Sequence, residues 1–500
     1  MAENQEVAVD VTKRILLTIA LLAITALGFA EGNTSDKTSS VYKKRVLENI
    51  EIDILSSYYT QDGDNAAVTG GIGTEKLDDT AFNISIAVPL SDDDVLSIDG
   101  TVSAYSSASS SNLNPFSGAS SGEEEDDDKD DDDDDDDDYG TSPTTGSPWV
   151  ESSGASKEDV WVSGNVAYSH TSDDRNNIWG ANVNFANEYD YSSLGFGASF
   201  AKLFNDQNTE LGIKGNVYLD TWRPEYPTEI AEYVHYNGNF SAGFFQDVDI
   251  LDSNGIVVSG ADGWKPISNT LIEDKARDSY SLSLSLSQML SMNAQVSLFV
   301  DLVMQKGWLA NPMQRVYFQD KDNFYIGNAA DIPNYSTTSN REVFQLADDI
   351  ERLPDNRLKT PMGMRFNYFV NEFVVLRNYY RYYTDDWGID SHTADIEVPI
   401  KISQSFTVYP SFRYYTQTQA EYFADYEEHL STEEFYTSDY DLSKFNSTQF
   451  GLGIQYNDLF SKTNFWMLGL KNINLNYSYS KRNTGLEYHI VSLGSKFMIK

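Results

Sequence analysis

The chain has 500 residues and no cysteine, which excludes disulfides, thiolate metal centres and cysteine-attached haem or lipid. Its 35 Lys and Arg against 77 Asp and Glu leave a net charge of −42, which argues against a nucleic-acid partner and for solvated acidic loops. Only 40% of the residues are hydrophobic, yet tyrosine (32) and phenylalanine (26) are abundant; strands with one apolar and one wet face average out this way, and apolar spanning helices do not.

Lys13-Arg14 lead into the mainly apolar run Ile15–Ala30, with small residues at Gly28 and Ala30 before a cut ahead of Glu31. Residues 1–30 therefore read as an export signal and 31–44 as a flexible polar segment. Strand-like alternation begins at Val46–Thr60 and is cleanest in Thr80–Leu90, where Phe82, Ile84, Ile86, Val88 and Leu90 oppose Ala81, Asn83, Ser85 and Ala87. Ser91-Asp-Asp-Asp94 turns the chain into Val95–Ser106. Val160–Thr171 and Asn177–Asn187 follow, then a run carrying Leu194, Phe196, Ala198 and Phe200, and one carrying Leu211, Ile213, Val217 and Leu219. Further strands are expected at 279–289, 293–306, 357–369, 372–383, 390–403, 405–418, 447–457, 470–481 and 486–499, making about sixteen.

Connectors alternate in length. Short ones fall at 91–94, 172–176, 204–208, 290–292, 370–371 and 403–404; long ones at 107–159, 222–278, 307–356 and 419–446. An even strand count with all long loops on one side defines the expected fold class: all-β, a single antiparallel up-and-down transmembrane β-barrel over residues 45–500, with short periplasmic turns and long external loops, in the outer membrane of a Gram-negative cell. Paired rings such as Tyr58-Tyr59, Tyr379-Tyr380 and Tyr414-Tyr415 suit interfacial girdles. The alternating end, Tyr488–Lys500, resembles the terminal strand by which such barrels are handed to the outer-membrane assembly machinery. Membrane lipid and lipopolysaccharide are the further partners such a setting implies.

Three stretches also carry a resemblance: Ser56–Lys76 (SSYYTQDGDNAAVTGGIGTEK), Pro89–Asn114 (PLSDDDVLSIDGTVSAYSSASSSNLN) and Asn187–Glu210 (NEYDYSSLGFGASFAKLFNDQNTE). They are similar to a family of uncharacterised exported proteins of Bacteroidota, known as a domain of unknown function, over nearly the whole mature chain. The resemblance implies an outer-membrane setting and carries over no catalytic residues.

Two constellations hold chemistry. The acidic run Glu123, Glu124, Glu125, Asp126, Asp127, Asp128, then Asp130 through Asp134 to Asp138, opposes only Lys129 and carries −14, a third of the total charge. Carboxylates are hard oxygen ligands for Ca²⁺ or Mg²⁺, but the run lacks the fixed spacing of a built cation site, and a solvated loop is the simpler expectation. The second lies in 357–418. Placing Met362, Met364, Leu376, Tyr380, Ile396, Ile400 and Phe412 toward lipid puts Arg365, Arg377, Arg381, Asp395, Glu397, Lys401 and Arg413 in the lumen. Hairpin counting brings Arg377 near Glu397, Arg413 near Asp395, and Arg365 beside Arg377. This charge ladder either selects solutes or satisfies charges in a filled barrel.

A Gly118-Ala-Ser120-Ser-Gly122 string sits in a Ser/Gly-rich loop with no strand-to-helix turn, and the five histidines are scattered; no enzyme or resident cofactor is expected. The leading expectation is a passive or modestly selective channel for small hydrophilic solutes, narrowed by loops 222–278 or 307–356. The alternative is a plugged scaffold or docking barrel of an envelope complex, with cation-binding acidic surface loops and an envelope protein partner.

Overall fold

The computed structural model describes residues 45–107, 159–188, 190–258, 263–268, 270–335, 343–459, 463–465 and 467–499. The expected export signal, the segment 31–44, the G-x-S-x-G string and the acidic run Glu123–Asp138 lie outside the described residues.

Alternating side chains and hairpin turns build sixteen antiparallel strands: β1 Glu51–Asp62, β2 Leu77–Pro89, β3 Asp94–Ser107, β4 Asp159–Thr171, β5 Asn177–Asn187, β6 Tyr191–Phe204, β7 Thr209–Trp222, β8 Lys275–Ser291, β9 Ala294–Gly307, β10 Asn356–Phe369, β11 Val375–Asp385, β12 Asp390–Glu397 with its continuation Ile400–Lys401, β13 Phe406–Gln417, β14 Phe445–Asn457, β15 Leu468–Arg482 and β16 Glu487–Ile499. Each pairs with the next, and β1 closes on β16 from Glu51↔Met498 to Asp62↔Glu487. Closure leaves no unpaired edge, the condition for a sheet to stand in hydrocarbon.

All sixteen expected strands are present, with local differences. Residues 46–50 do not join β1. The last pairing atoms of β16 are used at Ile50, whose carbonyl accepts from Ile499 N, while the Val46 amide donates to Asp92 O in the β2–β3 turn. Ile50 packs instead on Ile86 and Val88. Strand β12 breaks at Pro399, which lacks the N–H that a ladder needs. The β10–β11 turn takes residues 370–374 rather than 370–371. Left-handed backbone at Asn205, Asp206 and Gln207 (φ 54, 54 and 66°) makes the tight β6–β7 turn, with two of the three positions filled by residues that tolerate it.

The wall is apolar outside and polar inside. Leu282, Leu284 and Leu286 of β8 lie opposite Leu302, Val300 and Leu298 of β9, all on the outer face. Inside run Ser281, Ser283, Ser285 and Ser287, with Asn216 donating to Ser281 (3.1 Å) and Asn182 to Asn165 (3.2 Å).

Long connectors fall at one end of the barrel. Those at 188–190, 386–389 and 483–486 are short, but 223–274, 308–355 and 418–444 pack into one body. It holds helix α1 (Thr228–His235), a three-stranded sheet of Leu251–Asp252, Phe324–Gly327 and Val343–Gln345, and a ladder of Arg315–Val316 with Asp349–Ile350. Ile230, Phe245, Trp264, Tyr317, Phe344 and Ile350 form its core. The largest fully buried side chains of the molecule belong to this cap.

Candidate functional site: the lumen wall and its cap

Register fixes the ladder as three cross-strand rows, about 7 Å apart along the strands. The innermost row reads Asn367, Arg377, Glu397 and Ser411. The middle row reads Ser297, Arg365, Tyr379, Asp395, Arg413, Gln449, Ser480 and Tyr488. The row nearest the cap reads Gly363, Arg381, Thr393, Tyr415, Ser447 and Arg482. Outward neighbours Met362, Met364, Tyr380, Ile396 and Phe412 are exposed on the opposite face, so these rows line the interior.

Arg377 and Glu397 form an ion pair of 2.7 Å, with the guanidinium 51% exposed, open to the lumen. Its plane lies 5.8 Å from the Tyr409 ring. Asp395 faces Arg413 across one strand gap, and no ion pair within 4.0 Å joins Arg413 to any described residue. Arg365 does not lie beside Arg377 as hairpin counting suggests, because the longer β10–β11 turn moves the register so that Arg365 opposes Tyr379. Its guanidinium instead sits 5.7 Å from the Tyr379 ring and 6.0 Å from Phe299, two rings stacked on each other. Aromatic faces replace the missing carboxylate. Arg381 lies over Tyr383 at 5.7 Å. Lys401, beyond the Pro399 break and opposite Thr407, is exposed at the turn end, away from the other six.

Where the wall meets the cap, the side chains change character. Arg357 bonds Asp385 at 2.5 Å and lies 4.3 Å over Trp387. On the far side, Arg482 bonds Asp441 of the cap (2.6 Å) and lies 4.4 Å over Phe445, while the buried Gln417 amide donates to Asp441 O and Ser443 O. Beneath this contact is a cavity of about 300 Å³ whose lining includes Arg413, Tyr415, Ser447, Gln449, Arg482 and Tyr488.

The node of the cap is Arg315. It is 1% exposed, bonds Glu229 through two nitrogens (2.6 and 3.2 Å) and donates to Val68 O at 2.6 Å. Its face lies 5.2 Å from the Phe344 ring. Glu229 sits in the first turn of α1, where the helix dipole favours a carboxylate. One guanidinium thus ties together loops 63–76, 223–274 and 308–355. Gly70 in the first of these, at φ 79°, lies so close to Tyr317 that a Cβ there would come within 2.6 Å of the ring.

Acids are buried along the same seam. Burial, then the charge of Asp439, pushes Glu351 up to about 8 although it accepts from Asn311 N at 2.6 Å. Burial and then Asp441 raise Asp439 to about 6, and burial raises Asp348 to about 7 against the pull of the Phe318 amide. Among the described residues no group of three or more His, Asp or Glu side chains is arranged to hold a metal ion. The candidate Ca²⁺ or Mg²⁺ ligands of Glu123–Asp138 are outside them.

Sequence reasoning missed Glu229, Arg315, Asp441 and Arg482. A signal existed: loops 223–274 and 308–355 carry Ile230, Gly243-Phe-Phe245, Trp264 and Val316-Tyr-Phe318, far more apolar than a solvated loop needs.

The molecule is therefore a closed sixteen-strand β-barrel with a charge-lined interior and a folded cap across its loop end. Residues 15–479 match the family described as protein of unknown function (DUF3570), and the chain belongs to that family. No functionally curated protein matches it. Among solved structures it is similar to a bacterial polysaccharide outer membrane secretin (9% identity, TM-score 0.38, covering 92% of this chain and 100% of that one). It is also similar to a mutant of the TodX monoaromatic hydrocarbon channel (10%, 0.37, 91% and 91%) and to the outer membrane protein opdK from Pseudomonas aeruginosa (8%, 0.33, 90% and 99%).

Proposed function

We infer that the protein spans the outer membrane and admits small hydrophilic solutes through a lumen whose outer mouth is gated by the cap. The observation that carries this reading is the contrast in exposure along one wall. Arg377, at 51%, opens into the lumen, whereas Gln417, at the cap end of β13 and bonded to Asp441 O and Ser443 O, is covered. The outer face supplies the membrane argument. Tyr280 to Gln288 spans about 20 Å along the barrel axis once strand tilt is included, close to the apolar band of such barrels. Charged rows across a wet lumen set a transverse field, which orients and selects ions. Membrane lipid, lipopolysaccharide and the assembly machinery are the partners this setting entails; the reading involves no catalysis, cofactor or nucleic acid.

A second reading, a plugged docking barrel of an envelope complex, is favoured by the cap's own core, with Trp264 and Ile230 fully buried. Planar-bilayer recording of the full chain and of Arg315→Ala separates the two. Small or rare steps that become larger or more frequent in the variant support a gated channel. Silence from both, with the barrel verified as folded by heat-modified mobility, would leave the docking barrel.

A further inference from the structure

The cavity of about 300 Å³ between β13, β14, β15 and the cap is a recess in the lumen wall, and the inference from it deepens the reading of a gated solute pathway on which it rests. Its floor is the small side chain of Ser447, whose hydroxyl oxygen lies 3.1 Å from that of the buried Ser480 behind it. Large side chains rise around that floor in the two adjacent rows: Arg413 and Tyr488 in one, Tyr415 and Arg482 in the other. The volume is at the lower end of ligand pockets, so one small molecule fills it.

The two guanidiniums differ. Arg482 is held by Asp441 and by the Phe445 ring, which fixes its plane and leaves further N–H donors unused. Arg413 is exposed, with no ion pair within 4.0 Å among the described residues, and two residues along from Arg482 across the Ser447 floor. An oxyanion placed between them gains a charge-assisted partner that the protein does not already provide. Ser447 and Gln449 offer a hydroxyl and an amide on the floor, and the aromatic side chains of Tyr415 and Tyr488 line its sides. A solute matching all three features has one carboxylate, several hydroxyls and an apolar ring face.

We propose that this recess is a binding site for small acidic sugars, with Arg413 as the carboxylate anchor, Arg482 as its positioned second donor and Ser447 and Gln449 as hydroxyl partners. The carboxylate takes the Arg482 N–H groups that Asp441, which also lines the recess, leaves unused. An aromatic carboxylate shares the anion and the ring but leaves the floor's polar groups unanswered, which disfavours it.

Isothermal titration of the detergent-folded full chain tests the site, using D-glucuronate, D-glucose and benzoate as probes. Glucuronate is expected to bind, with glucose and benzoate each weaker by about tenfold or more, the worth of one charge-assisted bond or of the unpaired floor. Arg413→Gln should weaken glucuronate by a similar factor, and Ser447→Phe, which fills the floor beside Arg482 while keeping both arginines, should abolish it; heat-modified mobility shows that each variant is folded. Absent glucuronate binding in the folded wild type, equal binding by Arg413→Gln, or benzoate binding as tightly as glucuronate would each overturn the assignment. Titration needs no membrane, so the two readings fail separately. Silent bilayers with intact glucuronate binding would sink passage and keep the site, and conductance without binding would sink the site alone.

Discussion

The barrel wall and its cap use the same residue types in opposite ways. In the wall, Leu211, Leu284 and Leu298 are 48, 46 and 45% exposed; in the cap, Trp264, Ile230 and Phe344 are at or below 1%. The wall keeps its polar groups inside and is held by a closed ladder of backbone hydrogen bonds, so its apolar surface needs a lipid solvent. The cap has the ordinary order of a water-soluble domain, with an apolar core and a buried ion pair. The two regions should therefore fail independently, and each can be perturbed by changes the other would tolerate.

The largest effect is expected at Arg315. Arg315→Ala leaves Glu229 buried with no countercharge, and breaking such a pair costs about 3–5 kcal/mol. Hydrogen exchange of the Trp264 indole, which donates to Ala347 O at 2.8 Å, should accelerate, while heat-modified mobility of the barrel stays unchanged. Loss of the barrel band as well would show that cap and wall are one cooperative unit.

Next comes pH. Glu351, raised to about 8, and Asp348, raised to about 7, bind protons more tightly in the folded cap than in the unfolded chain. Between the unfolded carboxylate range near 4 and pH 8 the folded state therefore holds more protons, and cap stability falls as pH rises across that window. Protection of the Trp264 indole, the slowing of its exchange relative to the intrinsic rate at each pH, should be greater at pH 5 than at pH 8. Glu351→Gln, which keeps the shape and cannot ionise, should flatten the profile; an equally steep profile would remove Glu351 as its source.

The wall answers to a different substitution. Leu284→Arg, at mid-height on the outer face opposite Val300 and Ile213, should cost about 2–4 kcal/mol in a bilayer. The neighbouring Ser283→Arg, pointing into the lumen, should cost far less. Urea titration in lipid vesicles measures both, and equal costs would contradict the assignment of faces.

The two regions also differed in legibility. Period-2 alternation made the wall readable, as in β2, where Phe82, Ile84 and Ile86 point out and Asn83 and Ser85 point in. Each strand pairs with its neighbour, so counting from a hairpin turn sufficed to place Arg377 opposite Glu397 and Arg413 opposite Asp395. Counting failed at Arg365 because turn length sets register and the β10–β11 turn is longer than its sequence suggested. The cap was hidden for another reason. Glu229 is 86 residues from Arg315, and Val68 is 247 away, so no local period connects them. Only the apolar content of the loops betrayed a core.

The smallest effect on stability belongs to the residue with the largest expected effect on selectivity. Arg377 and Glu397 form a good ion pair, but the guanidinium is half exposed in a wet lumen, where water competes for both charges and such a pair adds only about 0–1 kcal/mol. Arg377→Gln should leave the urea midpoint unchanged. It also removes one positive charge from the innermost row, leaving Glu397 as the charge there, so the reversal potential of a cap-opened Arg315→Ala background in a KCl gradient should shift toward cation preference. The double variant Arg377→Gln/Glu397→Gln removes both charges of that row and should restore the selectivity of the background. An Arg377→Gln barrel that unfolds earlier yet conducts with unchanged selectivity would make the ladder a structural device, and would place the selecting element in the cap.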